Sequence, residues 1–130
     1  MKRFYLVLLS IILFSCSNDD DDNVAPTLLG SWNLVNVSGG ITGLDEDIDR
    51  GAVVWDFDTA SGMVTIVNNS TTTSANTLLA SGTYTYSVSD AADANILAVN
   101  EVDYGRLNLE NTVFTITESA IDGFTFRFER

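Results

Sequence analysis

The chain has 130 residues, a formal net charge of −12 and no histidine. That length suits a single domain behind a short leader. Beyond Lys2 and Arg3, four arginines stand against 18 acidic residues. So acidic a surface excludes nucleic acid and anionic lipid headgroups as partners, because phosphate binding relies on Lys and Arg.

The first 15 residues have the pattern of a secretory signal peptide. Lys2 and Arg3 give a positive start, residues 4–14 form an apolar run, and Ser15 is a small residue at the cleavage point. The apolar run is too short to span a bilayer, for which a helix needs ~20 residues. We therefore expect residues 1–15 to be removed.

The motif at the end of this leader, Leu13-Phe14-Ser15-Cys16, resembles the lipobox of bacterial lipoproteins. The resemblance implies that Cys16, the only cysteine in the chain, carries diacylglycerol and becomes an acylated amino terminus. Two or more acyl chains hold a protein stably on a membrane, at ~0.8 kcal/mol per buried CH₂. Cys16 is thus the predicted lipidation site, and a membrane the predicted partner. The alternative is an ordinary signal peptide with an incidental cysteine.

Residues 16–27 predict an acidic tether, because charged linkers repel themselves and extend. The run from Ser17 to Asp22 resembles the acidic export tract of Gram-negative surface lipoproteins. This resemblance implies a lipid anchor in the outer membrane with the domain exposed at the cell surface. A periplasm-facing anchor, or a solvated linker without an address function, remains the alternative.

From Leu28 onward the apolar residues repeat with a period of two, which is typical of half-buried β-strands. Short strands at ~8–12-residue spacing between turn clusters predict an all-β barrel or sandwich. Residues 39–50 predict a short helix or an ordered loop. The strand candidates are Ser31–Val37, Ala52–Phe57, Met63–Val67, Gly82–Val88, Ile96–Val99, Arg106–Leu109, Thr112–Thr117 and Phe124–Arg130.

The opening Gly30-Ser31-Trp32 of this region resembles the Gly-x-Trp motif of lipocalin-like domains. The resemblance implies an antiparallel, up-and-down, eight-stranded barrel over residues 28–130, with Trp32 at its closed end. Either Arg127 or Arg130 would pack across that ring, and we take Trp32 and Arg127 as the barrel-closing pair. A META-like small β domain and a β-sandwich are the alternative folds. We expect a monomer.

The aromatic residues carry the main functional hypothesis. A barrel of eight strands has room for packed side chains or for one small ligand. We expect Trp55, Phe57, Tyr84 and Tyr86 to line a site for a small apolar or amphipathic ligand. Because a packed barrel and a hollow one show the same alternation, the alternative is a solid barrel whose loops bind a protein or a glycan.

Catalysis and metal binding are not expected. The chain has no histidine, no lysine after Lys2 and no cysteine besides Cys16, so the usual general bases and activated nucleophiles are absent. Residues 45–56 resemble a calcium-binding loop in the spacing of their aspartates. Arg50, however, occupies the position where such a loop needs glycine. We therefore predict an acidic solvated loop, with no catalytic residue, no metal and no cofactor.

Overall fold

The computed structural model describes residues 25–72 and 78–130. The predicted signal peptide, Cys16 and the predicted tether up to residue 24 lie outside the described residues. The described residues contain strands and no α-helix. The strands are β1 (Gly30–Gly39), β2 (Leu44–Asp47), β3 (Val53–Asp58), β4 (Met63–Asn68), β5 (Gly82–Ala91), β6 (Ala94–Val99), β7 (Val102–Leu109), β8 (Val113–Thr117) and β9 (Phe124–Glu129).

The strands form one closed antiparallel sheet. From β3 to β9 each strand pairs with the next along the chain, and β9 pairs back with β1. β3 pairs with the first half of β1, and β2 pairs with the second half. The result is an eight-stranded up-and-down barrel with one extra strand, which confirms the predicted fold class.

Alternation along each strand explains why the barrel closes around an apolar core. In β3, Val53, Trp55 and Phe57 are buried while Asp56 and Asp58 are exposed. Successive strand residues point to opposite faces of a sheet, so a period of two sends one set inward. Fully burying a large apolar side chain is worth roughly 1.5–3 kcal/mol. The repetition of this pattern around the sheet therefore stabilises the closed form.

The prediction of a short helix or a loop for residues 39–50 is wrong, because Leu44–Asp47 forms β2. Asn36 on β1 donates hydrogen bonds from Nδ2 to the carboxylates of Asp45 and Asp47, at 2.8 and 3.0 Å. Ile48 follows with its side chain buried and its amide donating to the carbonyl of Val35. These contacts, rather than local propensity, hold an acidic four-residue segment in a strand.

The two ends of the barrel are formed by different segments of the chain. The proximal end contains Leu28, where the chain enters β1, and Arg130, which follows β9. The distal end contains residues 40–43, 100–101 and 118–123, which connect strands there.

Within residues 25–72 and 78–130, no helix has the length and apolar character needed to cross a membrane.

Candidate functional site

The four residues predicted to line a ligand site have different surroundings. Trp55 and Phe57 are fully buried, whereas Tyr84 and Tyr86 are half-buried. The ring of Trp55 lies 5.0 Å from that of Phe128, measured between centroids. The ring of Phe57 lies 4.9 Å from that of Tyr86 in an edge-to-face arrangement.

These contacts run across the barrel rather than along one wall. Phe57 on β3 reaches Phe114 on β8, with 6.1 Å between ring centroids. On the far side, Phe114 stacks on Phe128 of the neighbouring strand β9 at 4.5 Å and an interplanar angle of 12°. Aromatic pairs at such separations contribute about 0.5–1.5 kcal/mol beyond the area they bury. Trp55 and Phe57 thus belong to a packed aromatic core.

The two half-buried tyrosines face different surroundings. The hydroxyl of Tyr84 donates to the carbonyl of Ala80 at 2.8 Å. Tyr86 contributes instead to a surface groove of about 360 Å³ at the proximal end. We call this the proximal groove; its apolar lining comes from Leu28, Tyr86, Val88, Leu107 and Leu109, with Pro26, Thr27, Thr59 and Asn95 around them.

Burial raises the pKa of Tyr104 above its ordinary value, and the neighbouring Tyr84 adds to the shift. Burial also raises the pKa of Tyr86, with a smaller contribution from the charge of Asp58. Both hydroxyls therefore stay neutral over the physiological pH range. Neither tyrosine therefore places a charge next to the aromatic core.

The closed end is built around Trp32. Its indole Nε1 donates to the carbonyl of Leu28 at 2.7 Å. The guanidinium of Arg130 lies 4.2 Å from the centre of the indole ring. Arg130 also donates to the carbonyls of Leu29 and Asn111, at 3.0 and 2.6 Å. One arginine thus ties the entry of β1 to the turn before β8.

The structure puts Arg130, and not Arg127, across Trp32. Phe126 and Phe128 are buried, so the residue between them points to the outer face, where Arg127 forms an ion pair with Glu129 at 2.9 Å. Arg130 lies beyond the last strand residue, and its side chain is free to turn over the barrel end. The assignment of Arg127 as the closing residue is therefore corrected to Arg130.

Three acidic residues of the described segments, Asp45, Asp47 and Asp58, accept hydrogen bonds that stabilise local structure. Asp58 accepts hydrogen bonds from the amides of Ala60 and Ser61, at 3.1 and 3.4 Å, and so holds the turn after β3. Asp45 and Asp47 are bonded to Asn36, as described above. No group of three or more His, Cys, Asp or Glu within residues 25–72 and 78–130 is arranged to hold a metal ion.

The two tryptophans give a matched prediction. Among the described residues, Nε1 of Trp55 is a buried donor with no hydrogen-bond partner. Trp32→Phe removes the bond to Leu28 and weakens the contact with Arg130, so we expect it to lower the free energy of unfolding by about 2–3 kcal/mol. Trp55→Phe should cost about 1–2 kcal/mol less, because it removes an unsatisfied donor. Urea denaturation measures both, and an equal or larger loss for Trp55→Phe would contradict the argument.

The fold and the packed interior define an up-and-down β-barrel with a filled centre, an arrangement consistent with a lipocalin-like fold. Comparisons of the chain with family models, with curated proteins and with solved structures found no match.

Proposed function

We propose that this protein is a lipid-anchored, lipocalin-like binding module whose solid barrel presents its outer surface to a protein partner. The observation that carries this proposal is the ring contact between Phe57 on β3 and Phe114 on β8, which crosses the barrel and is extended by the stacking of Phe114 on Phe128 of the neighbouring strand. Side chains in van der Waals contact leave no room between them for a ligand. Recognition then falls to surfaces and loops.

The anchor in this proposal is Cys16, with the domain displayed from the outer membrane at the cell surface. Its support is the lipobox-like motif ending at Cys16 and the acidic run that follows. The described chain enters the barrel at the proximal end, so a tether there would direct the distal loops away from the membrane.

The anchor is tested by fractionating cells that produce the full chain or its Cys16→Ser variant. We expect the parent protein in the membrane fraction and the variant outside it, because the variant cannot carry the acyl chains. Mass spectrometry of the parent should show cleavage before Cys16 and added lipid. A bare Cys16 with residues 1–15 still attached would contradict the anchor.

Carbodiimide crosslinking in native membranes tests the interaction. The reagent joins carboxylates to lysine amines, and the chain has 18 acidic residues but no lysine after Lys2. Once the leader is removed, crosslinks within the chain or between copies through lysine cannot form. We expect adducts with a lysine-bearing partner, and none when the carboxylates are first blocked with glycine ethyl ester. Complete absence of adducts would contradict a protein-interaction function.

A second candidate function is binding of a small apolar or amphipathic ligand in the proximal groove. The observation that favours it is the volume of about 360 Å³ beside Tyr86, one of the predicted lining residues. Small-molecule sites generally measure ~300–1,000 Å³ and are mostly apolar with a few polar groups. Leu107 and Leu109 supply apolar walls here, and Asn95 a polar group.

The second candidate is tested with a fluorescent fatty acid as the probe. Val88 lines the groove, whereas Val67 lies on β4 outside it, and both side chains are 43% exposed. A carboxylate in an apolar groove is poorly solvated, so Val88→Asp should weaken probe binding about tenfold. Val67→Asp, which adds the same charge, should leave affinity unchanged. Equal effects of the two variants would assign the probe to another surface.

A further inference from the structure

The distal end carries aliphatic side chains that the barrel does not need. Ile41 is 85% exposed, Val102 is 56% exposed, and Ile121 is 103% exposed. The tips of turns favour Gly, Asn, Asp and Ser, because those residues suit turn geometry. The isoleucines lie between such residues, in Gly40-Ile41-Thr42-Gly43 and Ala120-Ile121-Asp122-Gly123. Neither contributes to the core, so neither is explained by folding.

We call these three side chains the distal patch: Ile41 and Ile121 lie on loops that contact each other, and Val102 is the first residue of β7. The amide of Gly40 donates to the carbonyl of Gly123 at 3.4 Å, which joins the turn of Ile41 to the loop of Ile121. On the other side of that loop, Val102, Ser119 and Ala120 line one surface cleft of about 560 Å³. The loop with Ile121 therefore lies between Ile41 and Val102.

The loop that presents Ile121 is held by hydrogen bonds at its base. A carboxylate oxygen of Glu118 accepts from the amide of Phe124 at 2.9 Å. The amide of Glu118 donates to the carbonyl of Phe124, and Gly123 donates to Ala120, each at 3.0 Å. A loop already ordered loses less conformational freedom on binding. The loop that carries the exposed isoleucine is thus held at its base.

Acidic residues surround the distal patch. Glu101 and Asp103 flank Val102, and Asp122 follows Ile121; we call these three the rim acids. Residues 40–43, 100–103 and 118–123 contain no Lys or Arg. Of the four arginines after Arg3, Arg130 lies at the proximal end and Arg50 and Arg127 pair with Glu129. Arg106 lies on the outer face of β7, opposite Thr117 at the end of β8. The segments that carry the rim acids therefore contain no positive side chain of their own.

We infer that the distal patch docks a basic protein surface, in which an apolar contact is bordered by lysines or arginines. This inference rests on the proposed interaction function and gives it a site and a partner chemistry. Opposite charges steer association and reject wrong partners, while apolar contact at the centre stabilises the complex. A second copy of the chain does not fit, because the rim acids of both copies would meet.

The site is tested by mapping the carbodiimide adducts of the full chain in its native membrane. We expect adducts on the rim acids and not on Asp56 or Asp58, which are also exposed carboxylates, on the outer face of β3. Raised salt should reduce the yield about tenfold, because screening weakens exposed charge pairs. Adducts whose yield does not respond to salt would overturn the basic character of the partner.

The apolar centre is tested with the double variant Ile41→Ser and Ile121→Ser, which leaves every carboxylate in place. We expect the yield at the rim acids to fall about tenfold, because the apolar contact is lost. Val67→Ser, at an exposed position on β4, should leave the yield unchanged. Equal yields from the double variant and the parent would overturn the distal patch as the docking site.

The position of the adducts separates the two proposals. Adducts confined to Asp56 and Asp58 would overturn the distal site and leave the interaction function standing. No adducts on any carboxylate would overturn both. Adducts on the rim acids that depend on salt and on the two isoleucines support both.

Discussion

Phe128→Ala should lower the free energy of unfolding by about 3–5 kcal/mol, as expected for a buried Phe-to-Ala change in a packed core. Phe128 is fully buried, its ring stacks on Phe114 at 4.5 Å, and Trp55 lies 5.0 Å away. It also stands on β9, which closes the barrel against β1. The variant therefore opens a cavity where three strands meet. Domains of this size have only ~5–15 kcal/mol of stability in total.

The matched control for this variant is Phe124→Ala on the same strand. Phe124 is half-buried, and its ring lies 6.4 Å from that of Phe126 at the distal end. Because solvent already reaches this site, we expect a loss of about 1–2 kcal/mol. Urea denaturation followed by near-ultraviolet circular dichroism measures both variants. If Phe128→Ala fails to fold, Phe128→Leu gives a smaller loss of about 1–2 kcal/mol. Equal losses from Phe128→Ala and Phe124→Ala would contradict a packed centre.

The barrel itself was predictable because alternation along a strand is a local property. Phe124, Phe126 and Phe128 point inward with Arg127 between them, as the period of two indicates. The same parity could have identified Arg130 as the residue that covers Trp32, since position 130 continues the inward series. Arg127 was chosen on its resemblance to a family pattern, although the alternation of β9 already excluded it.

Strand lengths were underestimated where turns lack glycine. Ser89 to Asp93 has a typical turn composition, yet Ser89–Ala91 belongs to β5. The reversal is confined to Ala92 and Asp93, which adopt positive φ values of 33° and 77°. Such two-residue turns match the twist of a hairpin but usually contain Asn or Gly. Cross-strand pairing therefore overrides local preference here.

The contents of the barrel were not predictable from the pattern of the sequence. A period of two gives the inward face of each strand but not which inward residues meet across the interior. Trp55 contacts Phe128, a residue far along the chain on another strand. Whether such rings leave a cavity depends on the sum of their volumes within the closed sheet. The proximal groove was missed for the same reason, since β5, β6 and β7 must be placed before it exists.

The second large effect is expected at Gly105, which is the position where β7 departs from regular pairing with β6. The register shifts between Leu97 and Ala98, and Tyr104 is turned toward Trp55 at this bulge. Gly105 has a φ of 137°, which is strained for any residue with a Cβ. An added Cβ would also lie against the carbonyl oxygen of Thr117.

Gly105→Ala should therefore lower the free energy of unfolding by about 3–5 kcal/mol, the sum of backbone strain and overpacking. Gly30→Ala is its control: Gly30 has a φ of 102°, but an added Cβ would meet nothing within 4 Å. The control should lose stability through backbone strain alone, about 1–3 kcal/mol. The difference, measured by urea denaturation, isolates the contact with Thr117. Because Tyr104 faces Trp55, a displaced bulge should also change the tryptophan fluorescence of Gly105→Ala. Equal losses of stability from the two variants would show that the backbone at Thr117 moves to accommodate the added Cβ. The bulge would then not determine how β7 pairs with β8.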